Sequence, residues 1–138
     1  MIGYVTLGAD DIAAAKRFYG AILTPLGYGL HEGPEGLSYA LEEGTTDGVA
    51  FPEFYVKPTY DGLPASPGNG AMVAFDVGRQ DLVRDLHRAG LSAGGTNEGA
   101  PGFRAAYSAH FYVGYLRDPQ GNKIALYAED RSVPGRDG

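Results

Sequence analysis

The stretch FYVGYLRDPQGNKIALY, residues 111–127, decides the fold because it predicts a β-hairpin with a defined turn. Both halves alternate in polarity and are rich in aromatic and β-branched residues, which is typical of strands. Pro119 and Gly121 occupy the second and fourth positions of the turn, as a type I turn prefers. Asp118 is therefore predicted to be structural, with its side-chain oxygen accepting a backbone amide of the turn.

Working outward from this hairpin, the same order of elements occurs twice along the chain. IGYVTL (2–7) predicts a strand, and the segment after Asp10 and Asp11 predicts a helix with a single apolar stripe. AMVAFDV (71–77) and QDLVRDLHRAG (80–90) repeat that pair, with Gly90 as the expected end of the helix. Three extended pieces are expected after each helix. In the first half they are residues 28–32, 37–42 and 48–57, and in the second half 91–96, 110–117 and 122–129.

These patterns predict one α+β domain of two βαβββ modules. The expected boundaries are 1–57 for the first module, 58–70 for a linker, 71–129 for the second module and 130–138 for a flexible tail. The alternative is an unrepeated α+β domain whose halves match by chance. GGTNEGAPGF (94–103) lacks the lysine and following helix of a phosphate loop, and it is expected to be a flexible flap beside the cleft.

Composition excludes several classes of function. The chain has 138 residues with a formal net charge of −6, and its lysines and arginines are scattered. A nucleic-acid interface needs clustered cations, so nucleic acid is not an expected partner. There is no cysteine, which rules out disulfides and cysteine-based zinc sites. Because there is no long apolar run and no basic start, we expect no membrane association, no signal peptide and a cytoplasmic location.

Three parts of the sequence carry a family resemblance. MIGYVTLGADDIAAAKRFYGAILTPLGY, DGLPASPGNGAMVAF and GFRAAYSAHFYVGYLRDPQGNKIALY resemble the glyoxalase/bleomycin resistance/dioxygenase (vicinal oxygen chelate) superfamily. FYGAIL and RDPQGN are the most specific motifs, and the resemblance spans residues 1–129. It implies curved mixed sheets that enclose a cleft, often in a homodimer, and commonly a divalent metal in that cleft.

The resemblance also implies where metal ligands would lie, on the first and last strand of each module. In this chain those positions fall at Tyr4, at Met72, at Ala125 and within FPEFYV (51–56), at Glu53 or a near neighbour. The family usually has His or Glu there. A neutral tyrosine is a poor ligand, methionine prefers soft ions and alanine has no donor. The expected cofactor is therefore none, with a divalent metal as the alternative.

Two residues are candidates for acid–base chemistry. Glu53 lies near a cleft strand and could act as a proton shuttle, or it could be a solvated edge-strand charge. His110 precedes the hairpin, and alternation places it on one face with Tyr112. If that face lines the cleft, His110 could be an acid or base near neutral pH; otherwise it is a surface histidine.

The remaining candidates would bind a ligand rather than transform it. Tyrosines on the cleft strands would make an apolar pocket with polar tips, although the same residues could simply pack a core. Arg104 is available for an anionic ligand. The full set of predicted ligand-binding residues is Tyr4, Thr6, Tyr55, Met72, Arg104, Tyr112, Ala125 and Tyr127.

Two functions follow from these residues. The first is a metal-free protein that binds a small organic molecule in a tyrosine-lined cleft. The second is a metal-dependent enzyme, a glyoxalase-like lyase or isomerase of the lactoylglutathione-lyase type or a dioxygenase, with a ligand set rebuilt from residues such as Glu53 and His110. Whether the chain is an enzyme is left open by its sequence.

Overall fold

The architecture was derived from a computed structural model of the chain that describes residues 1–43, 45–46, 49–50 and 52–138. Two helices and ten strands follow one another in the described part. The helices are α1 (Ile12–Leu23) and α2 (Gln80–Ser92), and a 3₁₀ turn (Thr24–Leu26) follows α1. The strands are β1 (Tyr4–Gly8), β2 (Tyr28–Gly33), β3 (Gly36–Leu41), β4 (Thr45–Thr46), β5 (Val49–Ala50), β6 (Glu53–Lys57), β7 (Val73–Asp76), β8 (Thr96–Phe103), β9 (Phe111–Arg117) and β10 (Lys123–Glu129).

Two four-stranded mixed sheets confirm the predicted α+β class. The first has the order β1-β6-β3-β2 and the second β7-β10-β9-β8. In each sheet the first strand of the module runs parallel to the last, and the other pairs are antiparallel. The two sheets have the same topology and each carries one helix, so the duplication into two βαβββ modules is confirmed. The sheets are not joined into a closed barrel, since β1 and β7 are both edge strands.

Local sequence explains why the first module begins as it does. Asp11 has an extended backbone and its side chain accepts a hydrogen bond of 2.9 Å from the amide of Ala14, which caps α1. The helix buries Phe18, Tyr19 and Ile22 on the stripe that faces the sheet. Gly27 ends the following turn with φ +92°, a conformation that glycine adopts without strain.

A single core lies between the sheets and the two helices. Aromatic rings from both modules meet there: Phe54 of β6 and Phe75 of β7 pack edge to face with centroids 5.3 Å apart. Gly90 allows α2 to approach both β9 and α1, because a Cβ at this position would lie 2.7 Å from Leu116 Cδ1 and 3.3 Å from Ile22 Cγ2. Gly90 is therefore a packing residue inside α2, and the prediction that it ends the helix is wrong.

The second module differs from the predicted strand pattern. Residues 91–96 were expected to be extended, but α2 continues through Ser92 and the chain turns at Gly94 with φ +102°. The expected flap at 94–103 is instead mostly β8, which pairs with β9 through two register irregularities. The structure corrects both predictions. Residues 91 and 92 belong to α2, and residues 96–103 form a strand because they pair with β9 and not because their side chains alternate in polarity.

The predicted strand at 48–57 lies partly outside the described residues, because Gly48 and Phe51 are not described. Within the described part, β5 and β6 lie on either side of Pro52, which has no amide hydrogen to donate to a ladder.

The linker is attached to both modules. Its Ala65 amide donates to Asp10 Oδ1 at 2.9 Å, and its carbonyl accepts from Gln120 Nε2 at 3.1 Å. Gln120 Oε1 in turn accepts from the Asp10 amide at 2.8 Å. After β10, Arg136 donates from its amide to the Ala109 carbonyl and from Nη1 to the Tyr107 carbonyl. No helix in the described ranges is long and apolar enough to span a membrane.

Candidate functional site

Each sheet has one side that packs on the helices and one side that faces away from them, which we call the open face. On β1, Val5 packs against the core while Tyr4 lies on the open face and is 66% exposed. On β7, Phe75 is buried in the core while Met72, just before the strand, is 46% exposed. Successive side chains of a strand point to opposite sides of the sheet, so alternate residues of β1 and β7 lie on the open face.

A crevice of about 310 Å³ opens where the edge strands β1 and β7 approach each other, and we call it the seam crevice. Its walls are mainly apolar and come from both modules. They are formed by Ile2, Tyr4, Val5, Tyr28, Pro52, Glu53, Phe54, Met72, Val73, Ala74 and Phe75. The structure therefore brings three predicted site residues, Tyr4, Glu53 and Met72, to one cavity.

Among the described residues that line this crevice, Glu53 is the only one with a carboxylate. Its Oε2 accepts hydrogen bonds from the Tyr55 hydroxyl at 2.6 Å and from Ser38 Oγ at 3.3 Å. The Tyr4 ring packs edge to face on Tyr55 with centroids 5.6 Å apart. The hydrogen bond to Glu53 raises the pKa of Tyr55 above its ordinary value, with partial burial and the carboxylate charge adding to it. Tyr55 is thus held as a neutral donor to Glu53.

The register of the two modules identifies the equivalent of Ala125 in the first module. Val5 and Val73 hold equivalent positions in the two parallel ladders, with Val5 next to Phe54 and Val73 next to Ile124. Just after each ladder, a backbone amide donates to a carbonyl of the last strand of the module. The amide of Ala9 donates to the Lys57 carbonyl in the first module, and the amide of Val77 donates to the Tyr127 carbonyl in the second. One position further along each last strand, Tyr55 is therefore the equivalent of Ala125. Glu53, the other candidate for the fourth ligand position, is the equivalent of Lys123.

The four positions at which the resemblance places metal ligands are accordingly Tyr4, Tyr55, Met72 and Ala125. They comprise two phenols, a thioether and a methyl group, and hard or borderline divalent ions bind none of these well. Among the described residues there is no group of three or more His, Asp or Glu side chains that could hold a metal ion. The residues present do not fit the metal that the family pattern implies.

Ala125 was expected to face a cavity, and the structure corrects this. Its methyl group lies on the open face of the second sheet but is only 2% exposed. Large aromatic side chains occupy that face around it: Tyr115 is its partner on β9, and the neighbouring Tyr127 stacks on Phe111 with centroids 5.3 Å apart. Burial raises the pKa of Tyr127. A ligand on this face would meet tyrosine rings rather than Ala125.

The face shared by His110 and Tyr112 turns out to lie toward α2, so it does not line the cleft. Tyr112 is 8% exposed, belongs to the core and accepts a hydrogen bond of 3.2 Å from Arg84 Nη1. The prediction that Tyr112 lines a ligand pocket is therefore wrong. His110 does not line the seam crevice with Glu53; its ring lies beside Gly135, where an added Cβ would be 3.1 Å from Nε2.

Thr6 and Tyr55 lie on the open face of the first sheet but do not themselves line the seam crevice. Thr6 contributes to a depression of about 500 Å³ bounded by the linker, and Tyr55 to one of about 320 Å³ that includes His31 and Ser38. Lys57 borders both depressions and lies 5.4 Å from the centroid of the Tyr55 ring.

Arg104 follows β8 and is directed back over that strand. Its Nη2 donates to the Ala100 carbonyl at 2.8 Å, and its guanidinium carbon lies 5.6 Å from the centroid of the Tyr115 ring. Lys123 Nζ lies 4.9 Å from the same centroid. Sequence reasoning missed Tyr115 and Lys123. Alternation placed Tyr115 opposite Tyr112, so the choice of the wrong face removed it from the candidates.

Comparison with known proteins agrees with this fold. The structure is similar to a glyoxalase/bleomycin resistance protein from Albidiferax ferrireducens T118, with 32% sequence identity, a TM-score of 0.74, and coverage of 91% of this chain and 96% of that one. The chain therefore belongs to the glyoxalase/bleomycin resistance/dioxygenase superfamily.

More distant structures show the same fold. A glyoxalase-related enzyme from Fulvimarina pelagi has 21% identity and a TM-score of 0.67, with coverage of 93% of this chain and 87% of that one. A glyoxalase/bleomycin resistance protein/dioxygenase family enzyme from Burkholderia phytofirmans PsJN has 21% identity and a TM-score of 0.66, with coverage of 93% and 98%. No protein-family model and no curated protein matches the chain.

Proposed function

We propose that this protein binds a small organic molecule in the seam crevice and does so without a metal ion. The observation that carries the proposal is the crevice itself, about 310 Å³ in volume and walled by apolar and aromatic side chains. Ligand sites of small molecules are usually apolar cavities of about 300 Å³ or more with a few polar groups. Glu53 supplies such a group, and its Oε2 is already oriented by Tyr55 and Ser38.

The size and lining of the crevice favour a ligand of one or two rings or a short hydrocarbon chain. Tyr4 and Tyr28 present ring surface, and Met72 has a flexible thioether that adapts to irregular shapes. The side chains at the four family positions support binding without a metal, since Tyr4, Tyr55, Met72 and Ala125 stand where the family usually has the His or Glu residues that bind a divalent ion.

Metal analysis and ligand titration together test this function. After dialysis against a weak chelator, mass spectrometry of the purified protein should find less than stoichiometric divalent metal, and added zinc or manganese should leave the melting temperature unchanged. Indole and 2-naphthol are suitable apolar probes. At a concentration 100-fold above its dissociation constant, either should stabilise the fold by about 2.7 kcal/mol.

A variant that fills the crevice provides the decisive comparison. Ala74 is exposed and lines the crevice, so Ala74→Phe should abolish probe binding with little loss of stability. Leu63→Ala, at an exposed linker position, is the control and should bind as the wild type does. One tightly held divalent ion per chain, or probe binding that survives Ala74→Phe, would refute the proposal.

The alternative of a metal-dependent lyase, isomerase or dioxygenase needs Glu53 and His110 in one ligand set. No contact between these two residues supports it, and only Glu53 lines the crevice. Alanine at both positions should then leave metal content unchanged. The homodimer that the family resemblance implies stays a prediction, which sedimentation equilibrium of the purified chain would test.

A further inference from the structure

We propose that the ligand of the seam crevice is an anion, and that Arg104 and Lys123, placed around the Tyr115 ring, bind its charged group. This inference rests on the proposed function, because it names the chemical class of the molecule that occupies the crevice. The Arg104 guanidinium carbon and Lys123 Nζ lie 5.6 Å and 4.9 Å from the centroid of the Tyr115 ring, so both cations border the same side chain of the open face.

Neither cation forms an ion pair within the described part of the chain. Arg104 donates only to the carbonyls of Ala100 and Phe103, at 2.8 Å and 3.2 Å, and these carry no net charge. A guanidinium has five N–H donors, so most of them are left for a ligand. No carboxylate lies within 4.0 Å of Arg104 or Lys123 among the described residues. A planar guanidinium and a flexible ammonium together suit a carboxylate or phosphate.

The charges around this point leave it positive although the chain as a whole is acidic. Arg117 lies opposite Lys123 in the antiparallel register of β9 and β10, and its side chain forms a 3.0 Å ion pair with Glu98. Glu98 therefore offsets the charge of Arg117 and part of that of Lys123, and both cations lower the pKa of Glu98. Glu129 borders the same depression of the open face as Tyr115, but it lies at the other end of β10, six residues from Lys123 or about 20 Å along the strand. A local positive patch on a chain of net charge −6 marks a site for an anion rather than a general property of the surface.

Lys123 lies next to the seam crevice. It precedes Ile124, the partner of Val73 in the parallel ladder, and is therefore beside Met72, which lines the crevice. A depression of about 370 Å³ on the open face of the second sheet is lined by Met72, Tyr107, Ser108, Phe111, Tyr115 and Glu129. Met72 also lines the seam crevice, so the two cavities share a wall. A molecule with its apolar part in the crevice can pass Met72 and place an acidic group beside Tyr115. We therefore infer an aromatic or aliphatic acid as the ligand.

Two glycines of β8 make room for the arginine. A Cβ at Gly99 would lie 2.8 Å from Tyr115 Cδ2 and 3.3 Å from Arg104 Nη2, and a Cβ at Gly102 would lie 3.3 Å from Arg104 Nη1. The guanidinium thus lies against bare backbone, where larger residues would displace it. Gly99 is a positioning residue for both Arg104 and Tyr115.

Three probes of one shape test the inference: 2-naphthoate, its neutral amide 2-naphthamide, and 2-naphthyl phosphate. Calorimetric titration should show that both anions bind the wild type more tightly than the amide does. Arg104→Met and Lys123→Met remove one charge each, and each should weaken anion binding by about 10-fold while amide binding changes little. Lys16→Met is the control. It removes from α1 a charge that is paired with Glu32 of β2, and its effect should be less than about 2-fold.

The outcomes separate this inference from the proposed function. If all three probes bind equally and the Arg104 and Lys123 variants behave as the wild type does, the anion site is refuted while crevice binding stands. If no probe binds the wild type, crevice binding is refuted and the anion site with it. Gly99→Ala should copy the Arg104→Met result, with circular dichroism showing that the fold is intact. A preference for the phosphate over the carboxylate would assign the ligand to phosphate esters.

Discussion

Tyr19 of α1 donates a hydrogen bond of 2.5 Å to the carboxylate of Asp118, which lies in the turn between β9 and β10 and is 3% exposed. The other acceptor sites of Asp118 are also used, since Oδ1 accepts the amides of Gln120 and Asn122 at 2.9 Å. Asn122 Nδ2 donates both to Asp118 and to the Gly8 carbonyl at the end of β1. The turn motif of the second module thus joins the helix and edge strand of the first.

Removal of the Tyr19 hydroxyl should therefore loosen the contact between the modules. Tyr19→Phe leaves the buried Asp118 carboxylate without one of its donors while the aromatic packing on Phe18 and Phe54 is kept. We expect the free energy of unfolding to fall by about 1–3 kcal/mol, measured by urea denaturation. A variant as stable as the wild type would show that this hydrogen bond contributes nothing.

Unlike the hydroxyl of Tyr19, the buried hydroxyl of Tyr39 has no hydrogen-bond partner among the described residues. Tyr39→Phe removes a polar atom that is buried at a cost, so stability at pH 7 should stay equal or rise. The same urea denaturation measures this, and Tyr19→Phe is its natural comparison. A loss of stability as large as in Tyr19→Phe would contradict the assignment.

The same substitution should change the response to alkaline pH. Burial, with a smaller effect of Glu32, raises the pKa of Tyr39 to about 12. A pKa that is higher in the folded state than in the unfolded state gives stability that is complete below pH 10 and is lost as the pH rises toward 12. The wild type should therefore lose up to about 1.4 kcal/mol per pH unit more than Tyr39→Phe in this range. Equal slopes in the two proteins would exclude this contribution.

Much of the fold could be predicted because its signals are local. The Asp11 cap, the apolar stripe of α1 and the turn geometry around Asp118 each depend on neighbours within four residues, and each is present in the structure. The repeat could be found for the same reason, since both modules carry the same local order of strand and helix.

The parts that could not be predicted depend on pairing between distant residues. β8 has the sequence TNEGAPGF, without alternation, and becomes a strand only by pairing with β9. Alternation along β9 gives two faces, but only the packing of Leu116 and Tyr112 on α2 shows which one is buried. The equivalence of Tyr55 and Ala125 likewise needed the register of two parallel ladders.

The turn between β2 and β3 depends on one glycine rather than two. Gly36 has φ +124°, and a Cβ there would lie 2.6 Å from the Val56 carbonyl oxygen on β6. Gly36→Ala should lower the free energy of unfolding by about 1–3 kcal/mol or more. The backbone strain of an alanine at positive φ adds to the clash of its Cβ with the Val56 carbonyl oxygen. Gly33→Ala, at the paired position with no atom within 4 Å, should change it by less than about 1 kcal/mol. Thermal denaturation of both variants measures the difference, and equal effects would contradict the geometry.

Glu53 and Ser38 are expected to shift the pKa of Tyr55 in opposite directions. The hydrogen bond to the Glu53 carboxylate is the main reason that the pKa of Tyr55 is raised, while the Ser38 hydroxyl lowers it. Glu53→Gln removes the negative charge next to the phenol, so tyrosinate at position 55 becomes easier to form and the pKa should fall. Ser38→Ala removes the opposing hydrogen bond, so the pKa should rise. Carbon-13 NMR of the tyrosine ring against pH measures both, and the signal that disappears in Tyr55→Phe identifies the residue.

If both variants shift the pKa in the same direction, Tyr55 is not controlled by these two partners. Glu53 would then lack the fixed donor that holds its oxygen at the edge of the crevice, and the case for it as the polar group that orients the ligand would be lost.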